Sequence, residues 1–227
     1  MTSPPLPPTT LSATAPEPFT FVAGRLWLDF VNTDDAVRTR ASERRGERLD
    51  ALDAFDRFIR WLVAAGVFDV QRAGALLRRA TQQPTGSSAA LYEARRMRNV
   101  LRALAEKGDR SGKPADPVTQ LAITEINRIL GRSTGSRHVE PLSDGGFSRN
   151  FVTAGDVFAA LLAPIIETAA DALVTGELAR VHKCANASCG RVFHDGSRNG
   201  KRRWCDMATC GNRANAARHR RKAKRAS

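Results

Sequence analysis

The amino-acid sequence predicts a mainly α chain: a helical N-terminal domain carrying one short β-hairpin, then a small cysteine-anchored module made of a β-hairpin and a helix. Three observations predict this. Apolar residues recur at three- and four-residue spacing through most of residues 49–178, as amphipathic helices require. All four cysteines fall between Cys184 and Cys210, as two C-x4-C pairs fifteen residues apart. Charge is segregated: from Arg180 onward fourteen Lys/Arg stand against two acids, a net of +12, whereas residues 1–179 hold 22 Lys/Arg against 21 Asp/Glu. A near-neutral domain joined to a strongly basic module points to a polyanionic partner for the module.

Residues 1–18 carry six prolines among Thr, Ser and Ala. They lack the apolar surface to order themselves, so a disordered tail is expected there. The helical domain is expected over residues 19–178. It opens on Phe19–Thr33, the densest apolar and aromatic stretch, with Asp29 and Asn32 inside it. Those two either satisfy backbone amides within a core or form a polar pair at the edge of a ligand pocket. Residues 34–48 read as a charged loop.

A helix follows from Leu49, Leu52, Phe55, Phe58, Ile59, Leu62 and Val63, with Gly66 as its C-cap. A second helix covers about 70–82, and Pro84-Thr85-Gly86-Ser87-Ser88 breaks it. A third covers about 89–106. It sets Leu91, Met97, Val100, Leu101 and Leu104 on one side, and Arg95, Arg96, Arg98 and Arg102 elsewhere. Four arginines there make either a solvated face or a place for an anionic ligand or DNA. Asp116-Pro117 is an N-cap followed by proline at the first helical position, opening a fourth helix to about Leu130. His138–Leu142 and Phe147–Val152 flank Asp144-Gly145-Gly146 as a hairpin. The last large helix, about 155–178, is apolar nearly all round and is expected at the centre of the core.

Several classes are set aside. Val157–Val174 contains Pro164, Glu167 and Asp171, so it reads as a core helix rather than a membrane span. No early basic and apolar run suggests an export signal. The expected location is therefore cytoplasmic, where thiols stay reduced and paired cysteines bind metal rather than each other. No paired carboxylates, nucleophile–base pair or phosphate loop is recognisable, so no enzymatic activity is expected.

Four cysteines in two short pairs suit one zinc ion, which prefers four tetrahedral ligands. Cys184, Cys189, Cys205 and Cys210 would close the coordination sphere, leaving no position for water or substrate. Such a site is structural, not catalytic. Cys189-Gly190 resembles a knuckle turn. Arg191–His194 and Arg202–Trp204 are expected to pair as strands around Gly196–Gly200, with Phe193 and Trp204 as a small core. A helix carrying the second cysteine pair completes a treble-clef-like finger over residues 179–227. From Met207 to Lys224 the sequence favours helix and has no large apolar residue after Met207. That helix is either a solvated basic tail or a surface for a duplex. On the second reading Arg198, Lys201, Arg202, Arg203, Asn212, Arg213, Arg218, Arg220, Arg221 and Lys222 are the candidate DNA contacts. Asn212 and Arg213 alternatively brace the zinc loop.

These residues carry a resemblance. Asp195–Asn199, Arg203–Met207 and Cys210-Gly211-Asn212-Arg213 resemble the CGNR zinc finger, over about residues 184–221. Gly24–Thr33 resembles the ABATE domain, over about residues 19–175. The resemblance implies a bacterial, stress-responsive transcription regulator whose finger binds duplex DNA and whose N-terminal domain senses a small-molecule effector. By that implication Asp29 and Asn32 are candidate effector residues, a homodimer is compatible with it, and a nucleoid-associated location follows; Arg98, from the four-arginine helix, is the further candidate for an anionic ligand. Ala214-Asn215 departs from the family pattern, which has a small residue and then Lys. The competing classes are an RNA-binding protein, an enzyme using the finger for localisation, and a protein-interaction module. The scarcity of exposed aromatic residues disfavours single-stranded partners.

Overall fold

The computed structural model describes residues 19–34, 50–108, 116–133, 135–141, 146–154 and 156–226. The side chains of residues 140, 147–153, 221, 222 and 224–226 lie outside that description. The Pro-rich segment 1–18 and nearly all of the charged loop 34–48 also lie outside the described residues.

The chain is mainly helical. Helix α1 (Leu26–Val31) is short and enters after Gly24, whose φ of +77° suits glycine alone. Five consecutive residues, Trp27 to Val31, are buried. It packs against α4 (Pro84–Lys107), α6 (Ala163–Val174) and strand β4 (Val192–His194) of the finger. The remaining helices of the body are α2 (Phe55–Ala64), α3 (Val70–Gln82) and α5 (Pro117–Arg132). Phe30 of α1 meets Trp61 of α2 with ring centroids 5.5 Å apart and Phe58 at 6.2 Å, which makes an aromatic centre for the body.

Local chemistry sets the helix ends. The Asp69 carboxylate accepts from Arg72 N at 2.6 Å and caps α3. Asp116 accepts from Thr119 N at 3.0 Å and Pro117 takes the first position of α5, as the sequence predicts. Pro84 does the same for α4, so the Pro-Thr-Gly-Ser-Ser stretch read as a break instead opens the next helix at once. A proline at the first helical position forfeits no hydrogen bond. Gly86 packs closely, since a Cβ there would lie 3.0 Å from the Phe158 ring and the ring would have to shift. The helix expected over 155–178 is confined to Ala163–Val174, because Pro164 can sit only in a first turn. Its buried residues lie on one side, and α1, rather than α6, holds the centre of the core.

Strands β1 (Gly135–Pro141) and β2 (Phe147–Thr153) form an antiparallel hairpin, with Gly135 opposite Thr153. A 3-10 turn, Glu177–Arg180, leads into the finger. There β3 (Val181–Lys183) pairs antiparallel with β4, Val181 opposite His194. The predicted pairing of β4 with residues 202–204 does not form. The buried Asp195 carboxylate takes the N–H groups of Ser197 (2.8 Å) and Arg202 (2.7 Å), which turns the chain away after β4. A π-helical turn, Met207–Gly211, runs into the final helix α7 (Asn212–Ala226). Hydrophobic packing is continuous from the aromatic centre to Val192, Phe193 and the cysteines. Among the described residues no helix is long and apolar enough to cross a membrane.

Candidate metal centre and nucleic-acid interface

Cys184 and Cys189 sit on the turn joining β3 to β4, and Cys205 and Cys210 flank the entry to the π turn. All four are buried, and their sulfurs lie within 4.8 Å of one another. Cys189 Sγ is 3.6 Å from Cys205 Sγ, which is 3.7 Å from Cys210 Sγ. A tetrahedron of sulfurs around zinc, with Zn–S of about 2.3 Å, has edges of about 3.8 Å. The donor set and its spacing therefore fit zinc.

The thiol electrostatics point the same way. Burial and its backbone contacts aside, the hydrogen bond from Cys205 pulls the Cys189 thiol down to about 5. That same bond, then burial, pushes the Cys205 thiol far up. Four sulfurs this close share protons because they cannot all ionise together. A bound dication is what lets four thiolates coexist there.

The surrounding chain is shaped to present the sulfurs. Gly190, with φ +72°, reverses the chain after Cys189. The Asn186 amide reaches Cys210 Sγ at 3.6 Å. Asp206 accepts from the N–H groups of Ala208 (3.2 Å) and Thr209 (3.1 Å) and from the Thr209 hydroxyl (2.8 Å), so it caps the turn that places Cys210. Sequence reasoning passed over Asp206, although an aspartate before a helix is the ordinary N-cap signal. Met207 lies over Gly211, where a Cβ would come within 2.4 Å of its sulfur.

The candidate DNA contacts divide in two. Arg198, Lys201, Arg203, Arg213, Arg218 and Arg220 are exposed. Arg203 lies over the Trp204 ring at 5.3 Å. Arg202 turns inward, stacking on Phe193 at 4.7 Å, donating to Trp204 O at 2.8 Å and also to Cys205 O. Its geometry is that of a brace for the zinc loop. The Asn212 amide donates to Ala208 O at 3.1 Å, bracing the same turn. The side chains of Arg221 and Lys222 lie outside the described residues. Helix α7 packs chiefly against the π turn, so most of its length projects from the body.

The candidate effector residues all meet groups of the chain itself. Asn32 forms a two-way bond with the finger: its amide donates to Val192 O at 2.8 Å and its oxygen accepts from Val192 N at 3.0 Å. Asp29 accepts from Val22 N and Ala23 N, both at 3.0 Å. Arg98 pairs with Asp50 and donates to the Thr33 hydroxyl at 3.1 Å. Arg102, one turn further along α4, pairs with Asp34 and donates to Val31 O (2.9 Å) and to Gly190 O (3.2 Å) of the knuckle. A partner 88 residues away gave sequence reasoning no local sign of that last contact.

Burial, opposed by the two amides and by Arg191, pushes Asp29 up from its ordinary value to about 6. A carboxyl whose folded pKa is raised contributes its full stability in acid and loses it as pH climbs through about 6. Asp29→Asn keeps an acceptor for both amides and carries no charge. At pH 7.5 the variant is expected to be more stable than the parent by about 1–2 kcal/mol, and the gap should close near pH 4. Urea denaturation at both pH values measures this. A parent chain that gained on the variant as pH rose would contradict it.

Two comparisons with known families follow this geometry. The ABATE family model, described as "Putative stress-induced transcription regulator", matches residues 24–177. The CGNR zinc finger model matches residues 180–223. No curated protein matches the chain.

Proposed function

Starting from a chain that belongs to the ABATE family and ends in a CGNR zinc finger, we propose that it is a DNA-binding transcription regulator. The finger contacts duplex DNA and the helical body senses a small ligand or stress signal. The action is binding, with no chemical step, and the four-cysteine centre holds one structural zinc. Its residues, Cys184, Cys189, Cys205 and Cys210, would fold the finger and fix the start of α7.

One observation carries the reading. Six exposed cations, Arg198, Lys201, Arg203, Arg213, Arg218 and Arg220, lie on α7 and on the turn beside the cysteines. The helix has no apolar face to bury, so its outer surface is available to a polyanion. Phosphate contacts supply most of the affinity, and Arg213 and Asn215 are the candidates for any base contact.

Electrostatic binding of this kind has a measurable signature. Log K for a duplex should fall with log salt at a slope of about −5 to −7, as roughly six to eight phosphates are neutralised. Arg203→Ala and Arg218→Ala should each flatten that slope by about 1, whereas Arg202→Ala should act through zinc-loop stability instead. Anisotropy titrations of the zinc-loaded full chain with duplex DNA and with structured RNA test the proposal. Tighter, salt-dependent binding to the duplex supports it. Equal or tighter binding to RNA, or none at low salt, contradicts it.

A further inference from the structure

Strand β4 is buried along its whole length, and β3 covers only one of its edges. With His182 opposite Phe193 and Cys184 N bonded to Arg191 O at 2.8 Å, the backbone groups of Val192 and His194 point away from β3. The helical body meets them there. Asn32 takes both polar groups of Val192, and Ala23 O accepts from His194 N at 2.8 Å. A carboxamide paired with one residue's N–H and C=O copies the bonding of a neighbouring strand. The end of α1 therefore stands in for the third strand of the finger's sheet. Around this bond Arg102 holds Gly190 O, and Glu106 pairs with Lys183 at 3.2 Å. The Arg25 guanidinium forms two bonds of 2.6 Å with Glu177 in the turn that leads into β3.

We infer that Asn32 is the positioning residue of the nucleic-acid interface: by completing β4 it ties the order of the metal site, and the direction in which α7 leaves the body, to the helical domain. The inference rests on the DNA-binding reading for its functional meaning, but its geometry does not. Val192 lies three residues from Cys189, and strand and knuckle share one stretch of backbone. Without the body, three buried backbone groups of β4 lose their partners, the N–H and C=O of Val192 and the N–H of His194, and unpaired buried groups are costly. Coupling of this kind is reciprocal. Whatever stabilises α1 in place tightens zinc binding, and zinc binding stabilises α1. A signal received by the helical body thus has a defined route to the finger, through the contact between Asn32 and Val192.

The test uses the zinc-loaded full chain and Asn32→Ala. Removal of two buried hydrogen bonds should weaken zinc in a chelator competition by about 10- to 100-fold. Backbone amide exchange at Val192 should speed up, while the amides of α4 and α5 keep their protection. At saturating zinc, duplex affinity should fall at least about threefold, because α7 is no longer held in one direction. Unchanged zinc affinity and unchanged Val192 exchange overturn the inference. Should the variant lose its helical circular dichroism, the parent chain decides. Stripping its zinc should lower the melting midpoint of the body and speed exchange in α1, whereas an unchanged midpoint contradicts the coupling. If the parent binds no duplex at low salt, the DNA reading fails, and zinc affinity and amide exchange still judge the role of Asn32.

Discussion

Cys205→Ser should abolish zinc binding, taking the metal content from one per chain to nearly none, and should weaken duplex binding by at least about 100-fold. Cys205 is fully buried, and its sulfur lies within 3.7 Å of both Cys189 and Cys210. A serine hydroxyl does not ionise near neutral pH, so it replaces a thiolate with a weak neutral donor. Structural zinc sites of this type contribute roughly 10–16 kcal/mol of folding free energy. The finger's own apolar core around the sulfurs is small. Its centre is Val192 and Phe193, with Trp204 half-buried against them. Loss of zinc should also free the Arg202 guanidinium from the carbonyls of Trp204 and Cys205. Elemental analysis and anisotropy titration measure the two effects on one sample. A serine variant that bound no zinc yet kept the parent's affinity would show that the basic residues act as an unstructured tail.

Arg98→Ala should lower stability by about 3 kcal/mol, moving the melting midpoint of the body down by about 10 °C. The Arg98 side chain is 4% exposed and its partner Asp50 is 26% exposed. Burial acts to raise Asp50, but the Arg98 bonds and charge, with the Leu52 amide and Arg95, together outweigh it and hold the carboxyl below the usual range. Alanine leaves that carboxylate with Arg95 at 3.8 Å as its nearest cationic group among the described residues and removes the Arg98 donor from the Thr33 hydroxyl. With Asp50 lowered in the fold, the pair stabilises above the ordinary carboxylate range, and that contribution fades as pH falls through the lowered folded pKa. The penalty for Arg98→Ala should therefore shrink in acid. Scanning calorimetry at pH 7.5 and pH 3.5 reads both the size and its trend. A variant that melts with the parent but responds differently to an effector would instead place Arg98 in a ligand site.

The cysteine centre was the most legible part of the sequence, because zinc coordination demands particular donors at short spacing. The long helices α3, α4 and α5 were legible too, since their apolar periodicity spans several turns. Helix α1 was not, because six residues make under two turns and nearly every side chain is buried, which erases amphipathic contrast. Strand β3 is three residues long and carries no alternation to detect. Asn32 read as either a backbone brace or a ligand residue, because its partner, Val192, stands 160 positions away. Polar residues inside an apolar run advertise a bond without naming its partner. Arg202 likewise looked like Arg203, and only the packing of Phe193 distinguishes them.

The central claim is that the zinc-folded finger presents α7 and the turn beside it to duplex DNA. Its most direct test follows the backbone amide signals of the zinc-loaded chain during titration with a duplex at low salt. The account predicts shifts at Gly196–Arg203 and along α7, small changes at Val192 where the finger meets the body, and reversal of all of them at high salt. Shifts confined to the helical body, or none in α7 while DNA is bound, would contradict it.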